Sequence, residues 1–170
     1  MSVPQQRAFW RGPEEGDEIW LLGGLYTFKA RGSDNGDAYS LFEVQGPVAT
    51  PRHLHEHEEE GFYVVEGKIT FLIGDQTIEA TPGTFAFVPR AFVPRGVEHA
   101  FKLESAEAKL LLLLTPGNAG HEDQFTEMGE PAGAHEVPPP PESPPDVEEL
   151  AAIAARHGTR VVGPPLGMEG

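Results

Sequence analysis

The stretch Pro51-Arg-His53-Leu-His55-Glu-His57-Glu-Glu-Glu60-Gly-Phe-Tyr-Val-Val-Glu-Gly67 runs from two closely spaced histidines through an acidic cluster into aromatic and β-branched residues. Residues two apart on a strand point the same way, so His53 and His55 present their imidazoles to one face and Leu54 to the other. A turn through the acidic run brings Glu60 onto the next strand, where Phe62 and Val64 share its inward face. A second segment, Glu98-His99-Ala-Phe101-Lys102-Leu103-Glu104, alternates so that His99, Phe101 and Leu103 face the core. Three imidazoles and one carboxylate oxygen converging inside a β structure suit one divalent transition metal per chain, Fe, Mn, Co, Ni, Cu or Zn, and suit Ca or Mg badly. Position alone does not choose among these metals. His57 shares the parity of His53 and His55 if the strand continues, but it sits in a Glu-rich turn. Glu56, Glu58 and Glu59 read as a solvated acidic rim, with Glu59 the alternative to Glu60 as ligand.

Around this stretch the chain reads as short strands separated by turn residues. Leu25–Ala30 and Ala38–Val44 form a hairpin across Arg31-Gly-Ser-Asp-Asn-Gly-Asp37, and Lys68–Ile73 with Gln76–Ala80 form another across Gly74-Asp75. Thr84–Val88, Glu98–Leu103 and Lys109–Thr115 follow, and the run Leu110–Leu114 predicts a strand buried on both faces. With no helix between them, these strands predict an all-β sandwich or barrel. The expected organisation is an N-terminal arm over 1–18, a barrel over 19–118 and a C-terminal tail over 119–170. Nine of the seventeen prolines lie from Pro131 onward, so the tail is proline-rich. Ala119–Gly129 suggests a short helix. Asp146–His157 predicts a firmer one, with Asp146 as cap, Glu148 and Glu149 in the first turn and Gly158 after its end. His121, His135 and His157, in the tail, read as surface residues.

The 170-residue chain has 12 Lys+Arg against 27 Asp+Glu, a net charge of -15, and no cysteine. The length suits one domain. Without cysteine there is no disulfide, thiolate metal site or cysteine nucleophile, so any metal must sit on His and carboxylate. Such acidity disfavours nucleic acid and anionic membranes as partners. No secretory signal is read in Met1–Gly16, and the five-leucine run is far short of a bilayer span. A cytoplasmic protein is expected.

On these residues the sequence resembles the cupin superfamily. The family's first motif, Gly-x5-His-x-His-x3,4-Glu-x6-Gly, is matched from His53 to Gly67, with Gly46 one residue too far upstream. Its second, Gly-x5-Pro-x-Gly-x2-His-x3-Asn, begins as Gly83-x5-Pro89 and ends as Pro94-x-Gly96-x2-His99, with Leu103 in place of Asn. Gly23–Lys29, Ala38–Glu43 and the ending Val162–Leu166 further resemble single-domain cupins of the quercetin 2,3-dioxygenase type. The resemblance implies a cupin β-barrel, a jelly-roll-like double-stranded β-helix, and commonly a homodimer. It implies that His53, His55 and His99 hold the metal and that Glu60 is both ligand and acceptor of a substrate hydroxyl proton. The implied activity is metal-dependent dioxygenation, in which O2 opens the heterocycle of a flavonol-like aromatic substrate with release of carbon monoxide. Phe28, Phe42, Phe62 and Phe101, with Phe71, could line a pocket for a flat substrate; plain barrel packing is the alternative. Two other functions remain open: a non-catalytic small-molecule-binding or sensing cupin, and another cupin metalloenzyme such as an isomerase or a polyketide- or sugar-modifying enzyme.

One feature departs from the pattern. Ala86-Phe-Val-Pro-Arg90 is followed at once by an identical Ala91-Phe-Val-Pro-Arg95, and removing either copy restores the second motif. An odd insertion inside a paired strand would turn every later side chain to the opposite face. The prolines resist a central ladder, so the extra copy is expected to loop out at the barrel rim, leaving Pro94–His99 in place.

Overall fold

A computed structural model describes residues 7–90 and 96–168. The strands are β1 (Asp17–Leu21), β2 (Gly24–Ala30), β3 (Ser40–Gln45), β4 (Pro51–His55), β5 (Glu59–Glu66), β6 (Ile69–Ile73), β7 (Gln76–Ala80), β8 (Phe85–Val88), β9 (His99–Leu103), β10 (Lys109–Thr115), β11 (Glu130–Pro131) and β12 (Thr159–Pro165). The helices are α1 (Gly32–Asn35), α2 (His121–Met128) and α3 (Val147–Arg156). The strands form two antiparallel sheets, one in the order β11-β1-β2-β3-β10-β5-β8 and one in the order β12-β4-β9-β6-β7. The core lies between them, filled by Phe42, Val44, Phe62, Val64, Ile69, Phe71, Leu110, Leu112 and Leu114. No described helix is long and apolar enough to cross a membrane.

Local chemistry accounts for most elements. Gly74-Asp75 closes the β6–β7 hairpin as a two-residue turn, with Gly74 at φ +61°. The turn between β2 and β3 tightens into the single helical turn α1, ended by left-handed Gly36. Gly67, which ends the first motif, has φ +75°, and a Cβ there would lie 2.9 Å from the Ala108 backbone. Only glycine fits that approach without strain. Asp146 caps α3, its side chain accepting from the amides of Glu148 and Glu149.

Three expectations need correction. Leu110–Leu114 is a strand, but it is not buried on both faces: Leu110, Leu112 and Leu114 are buried, Leu111 is half-buried and Leu113 is 36% exposed. Strand alternation sends every second leucine to the outer face. The sheets are not confined to 19–118, because β1 begins at Asp17. The segment expected as a tail adds β11 beside β1 and β12 beside β4, with register pairs Thr159↔His55 and Val161↔His53. Gly163, Pro164 and Pro165 hide this strand from a sequence reading, yet proline is tolerated on an edge strand, which β12 is. Finally, His121 is buried, not on the surface.

The first copy of the duplicated pentapeptide supplies β8, with Val88 inward and Phe85 and Phe87 outward. The second copy, 91–95, lies outside the described residues, as does its expected excursion. Beyond it the inward parity is kept, since His99 is buried and pairs with His53 on β4 and Ile73 on β6.

Candidate metal centre

β4 and β9 are neighbours, and their His53↔His99 pairing sets the two rings side by side, with His55 two residues further along β4. Glu60 enters from the opposite sheet, at the start of β5. One ligating atom from each of His53, His55, Glu60 and His99 lies within 4.8 Å of the others, and all four residues are buried. The Nε2 atoms of His55 and His99 are 3.1 Å apart, and each is 2.8 Å from Glu60 Oε2. The structure therefore brings together the four residues expected as ligands, and this cluster could hold one metal ion.

Hydrogen-bond accounting tests whether a cation fits. His53 Nδ1 is 2.7 Å from the Pro51 carbonyl and His99 Nδ1 is 3.1 Å from the Val97 carbonyl. A carbonyl oxygen only accepts, so both Nδ1 atoms carry hydrogen, and the neutral form of each ring turns a bare Nε2 lone pair inward. For His99 that lone pair faces the Glu60 carboxylate, an arrangement of two acceptors that a cation between them resolves. His53 Nε2 has no protein partner among the described residues. His55 Nδ1 lies 3.3 Å from the Thr159 hydroxyl on β12. Such outer partners orient imidazoles toward a metal.

The electrostatics agree. Burial, reinforced by His99 and His55, pushes His53 well below its ordinary value, and burial brings His55 down to about 4 despite the opposing pull of Glu60. Burial alone would raise Glu60, but its interactions with His55 and His99 outweigh that and hold it well below the usual carboxylate range. His53 and His55 are thus held neutral beside one ionised carboxylate, and three imidazole donors with a carboxylate form a set that fits a divalent transition metal and leaves no Glu60 anion uncompensated when one is bound.

Other expected residues fall elsewhere. His57 and Glu56 are exposed and Glu59 is half-buried; none joins the cluster. Glu58 is not part of a solvated rim: it is 2% exposed, its Oε1 accepts from the His121 amide at 3.2 Å, and its Oε2 is bonded to His121 Nδ1. Burial would lower the His121 imidazole, but the Glu58 carboxylate more than reverses this and raises it. The His121 ring centroid is 4.4 Å from that of His55. The signal for Glu58 was its shared parity with Glu60; His121 had none, because its partner is 63 residues away. His135 is exposed and His157 half-buried. Phe28, Phe42, Phe62 and Phe101 are all buried, with Phe28 edge-on to Phe42 at 4.7 Å and Phe62 against Phe101 at 5.4 Å. Of the four, Phe62 reaches the cluster, 6.3 Å from His99.

Comparison with known proteins agrees with this architecture. Residues 40–115 match the family model described as Cupin domain, a span containing all four donors. KdgF from a Halomonas species superposes with a TM-score of 0.54 at 16% identity, covering 65% of this chain and 94% of that one. An RmlC-like cupin from Shewanella frigidimarina NCIMB 400 gives 0.53 at 19%, covering 67% and 96%. The chain carries a cupin domain and has the cupin fold. Among curated proteins it is similar to the quercetin 2,3-dioxygenase of Bacillus subtilis (strain 168), 29% identical over 131 residues. That match covers 76% of this chain but 37% of the relative's length.

Proposed function

We propose that the protein is a metal-dependent dioxygenase resembling quercetin 2,3-dioxygenase, acting on a flavonol-like aromatic substrate. The observation that carries the reading is the buried convergence of His53, His55, Glu60 and His99 within 4.8 Å, in a chain similar to an enzyme of that name. The four residues would hold one of Fe, Mn, Co, Ni, Cu or Zn. When bound, the metal supplies Lewis acidity toward a substrate oxygen and open coordination positions for substrate and O2.

The chain's own residues would supply the rest. The carbonyls of Pro51 and Val97 and the hydroxyl of Thr159 hold the three imidazoles in orientation. Glu60 Oε2, ionised and inward, accepts the proton of the substrate hydroxyl, leaving the enolate that O2 attacks. Phe62, packed against Phe101 at 5.4 Å, offers apolar surface beside the cluster that excludes water and suits a flat ring, with Phe28 and Phe42 elsewhere in the same core. The expected overall change consumes one O2, opens the heterocycle and releases one carbon as carbon monoxide.

The test is aerobic incubation of metal-loaded protein with quercetin, following loss of flavonol absorbance, O2 uptake and carbon monoxide release. Absence of turnover with each of the six metals rejects the reading. Flavonol binding without O2 uptake would assign the site to binding or sensing instead.

A further inference from the structure

The outer face of the seven-stranded sheet carries an apolar patch at one end. On β5, Glu60, Phe62 and Val64 turn inward, so Gly61, Tyr63 and Val65 turn outward; β8 and β10 pair with this strand and present Phe85, Phe87, Leu111 and Leu113 on the same side. Tyr63 stands opposite Phe85, and Gly61 opposite both Phe87 and Leu113. The Phe85 ring leans over Gly61, whose missing side chain makes room for it: a Cβ there would lie 3.3 Å from the ring. Phe85 is 63% exposed and Phe87 50%, and Tyr63, Val65 and Leu113 are exposed with them. None of these outward residues is charged. Glu59 lies at one end of the patch, and Lys109 at the other is paired with Glu43 at 3.4 Å.

Elsewhere the strands keep their outward apolar residues covered. Leu25, Leu54, Leu72 and Ala100 alternate with core-facing neighbours and so point out of the sheets, yet all four are buried. Five of the ten exposed large apolar residues among those described lie instead on three adjacent strands, β10, β5 and β8. Single exposed apolar side chains are ordinary, but a contiguous patch marks an interaction surface. A large aromatic side chain can bury about 150–250 Å², so these five, about half-exposed, offer roughly 400 Å². One side of a standard protein interface covers about 800 Å², of which about 56–65% is apolar. The patch therefore comes close to the apolar part that a stable dimer needs.

We propose that this face is the interface of a homodimer, in which β10, β5 and β8 of one copy pack face to face on the same strands of a second. Charge selects that partner. The chain carries a net charge of -15, so two copies repel over most of their surfaces and meet closely only where charge is absent, as it is here. The same acidity turns away an anionic membrane, and an uncharged patch has nothing with which to hold a basic protein. A twofold contact needs one surface complementary to itself, and a sheet face of neutral aromatic and aliphatic side chains meets that condition without any matching of charges. The contact lies on the opposite face of β5 from Glu60, so it does not depend on what the donor cluster binds.

The test is sedimentation equilibrium of the full chain over a concentration series at low and high salt. It compares wild type with Phe85→Lys, Phe87→Lys and, as a control at an exposed apolar residue elsewhere, Trp10→Lys. Wild type is expected to be a dimer that salt tightens, because screening weakens the repulsion between two acidic chains. Each phenylalanine variant should weaken the dimer about a hundredfold or more, since a twofold contact counts every substitution twice. The added lysine makes the chain less negative, so such weakening cannot come from greater overall repulsion. Trp10→Lys should dimerise like wild type. Circular dichroism checks folding, and Leu113→Ser, a milder change on the same face, carries the test if a lysine variant does not fold. A wild type that is monomeric at every concentration overturns the proposal and leaves the face to residues 91–95 of the same chain or to a different protein. A dimer that survives all the patch variants, that Trp10→Lys weakens equally, or that salt dissociates also overturns it.

Discussion

Removing the metal should lower the thermal stability of the wild-type protein, and His99→Ala should abolish that response. The inward donors are held by two strands of one sheet and one of the other, so a cation bound among them ties the sheets together and binds only the folded chain. At a free metal concentration a hundred times its dissociation constant, the linkage amounts to about 2.7 kcal/mol. For a chain of this size each kcal/mol moves the midpoint by about 2–4 °C, so stripping with chelator and reloading should separate the two melting curves by about 5–11 °C. In His99→Ala one of the two imidazole nitrogens 2.8 Å from Glu60 Oε2 is lost, leaving His53, His55 and Glu60. Its stripped form should melt lower than stripped wild type, because a buried ring has been deleted, but reloading should move it little. The assay is circular dichroism melting of stripped and reloaded protein, paired with elemental analysis of metal per chain. Coincident wild-type curves, or an undiminished shift and stoichiometry in His99→Ala, would refute the reasoning.

Other outcomes follow from particular contacts. Thr159→Val keeps the shape of a buried side chain and removes the partner of His55 Nδ1. Metal affinity should fall about 10–100-fold, as measured by competition with a chelating dye. Gly67→Ala places a side chain at φ +75° and 2.9 Å from Ala108, which should cost about 2–3 kcal/mol in urea unfolding without altering the sheet order. Asp34 accepts from Arg11 at 3.0 Å and from the Arg31 amide at 2.9 Å, and the Arg11 bond leads in holding its carboxyl below the usual 3.8. A depressed carboxylate stabilises above its unfolded value and loses that contribution as the pH falls below 3.8 toward the folded one, so Asp34→Asn should flatten the acid limb of stability measured by urea titration across pH.

Much of the candidate site was legible because its potential donors lie on strands, where a two-residue period assigns a face. His53 and His55 share a face by spacing, Glu60 groups with Phe62 and Val64, and His99 groups with Phe101 and Leu103; all are buried as that period requires. The hairpin turns were equally local, since Gly74-Asp75 carries its own conformational preference. Periodicity failed where a face needed a partner from far along the chain. Glu58 looked solvated because nothing near it in sequence covers it; α2 does, bringing His121 onto it. β12 looked like an irregular ending because its prolines argue against a ladder, and only its position at a sheet edge lets them stand.

By itself, the sequence determined which side chains turn inward and what chemistry they carry: three imidazoles and a carboxylate in a chain with no thiol to compete. That followed from backbone geometry repeated every two residues, which needs no knowledge of the rest of the fold. The tertiary structure decided what surrounds them: Thr159 behind His55, 104 residues away, and the Glu58–His121 pair beside it. Period and propensity are properties of a segment, whereas burial and hydrogen-bond satisfaction are properties of whichever segments the chain folds together.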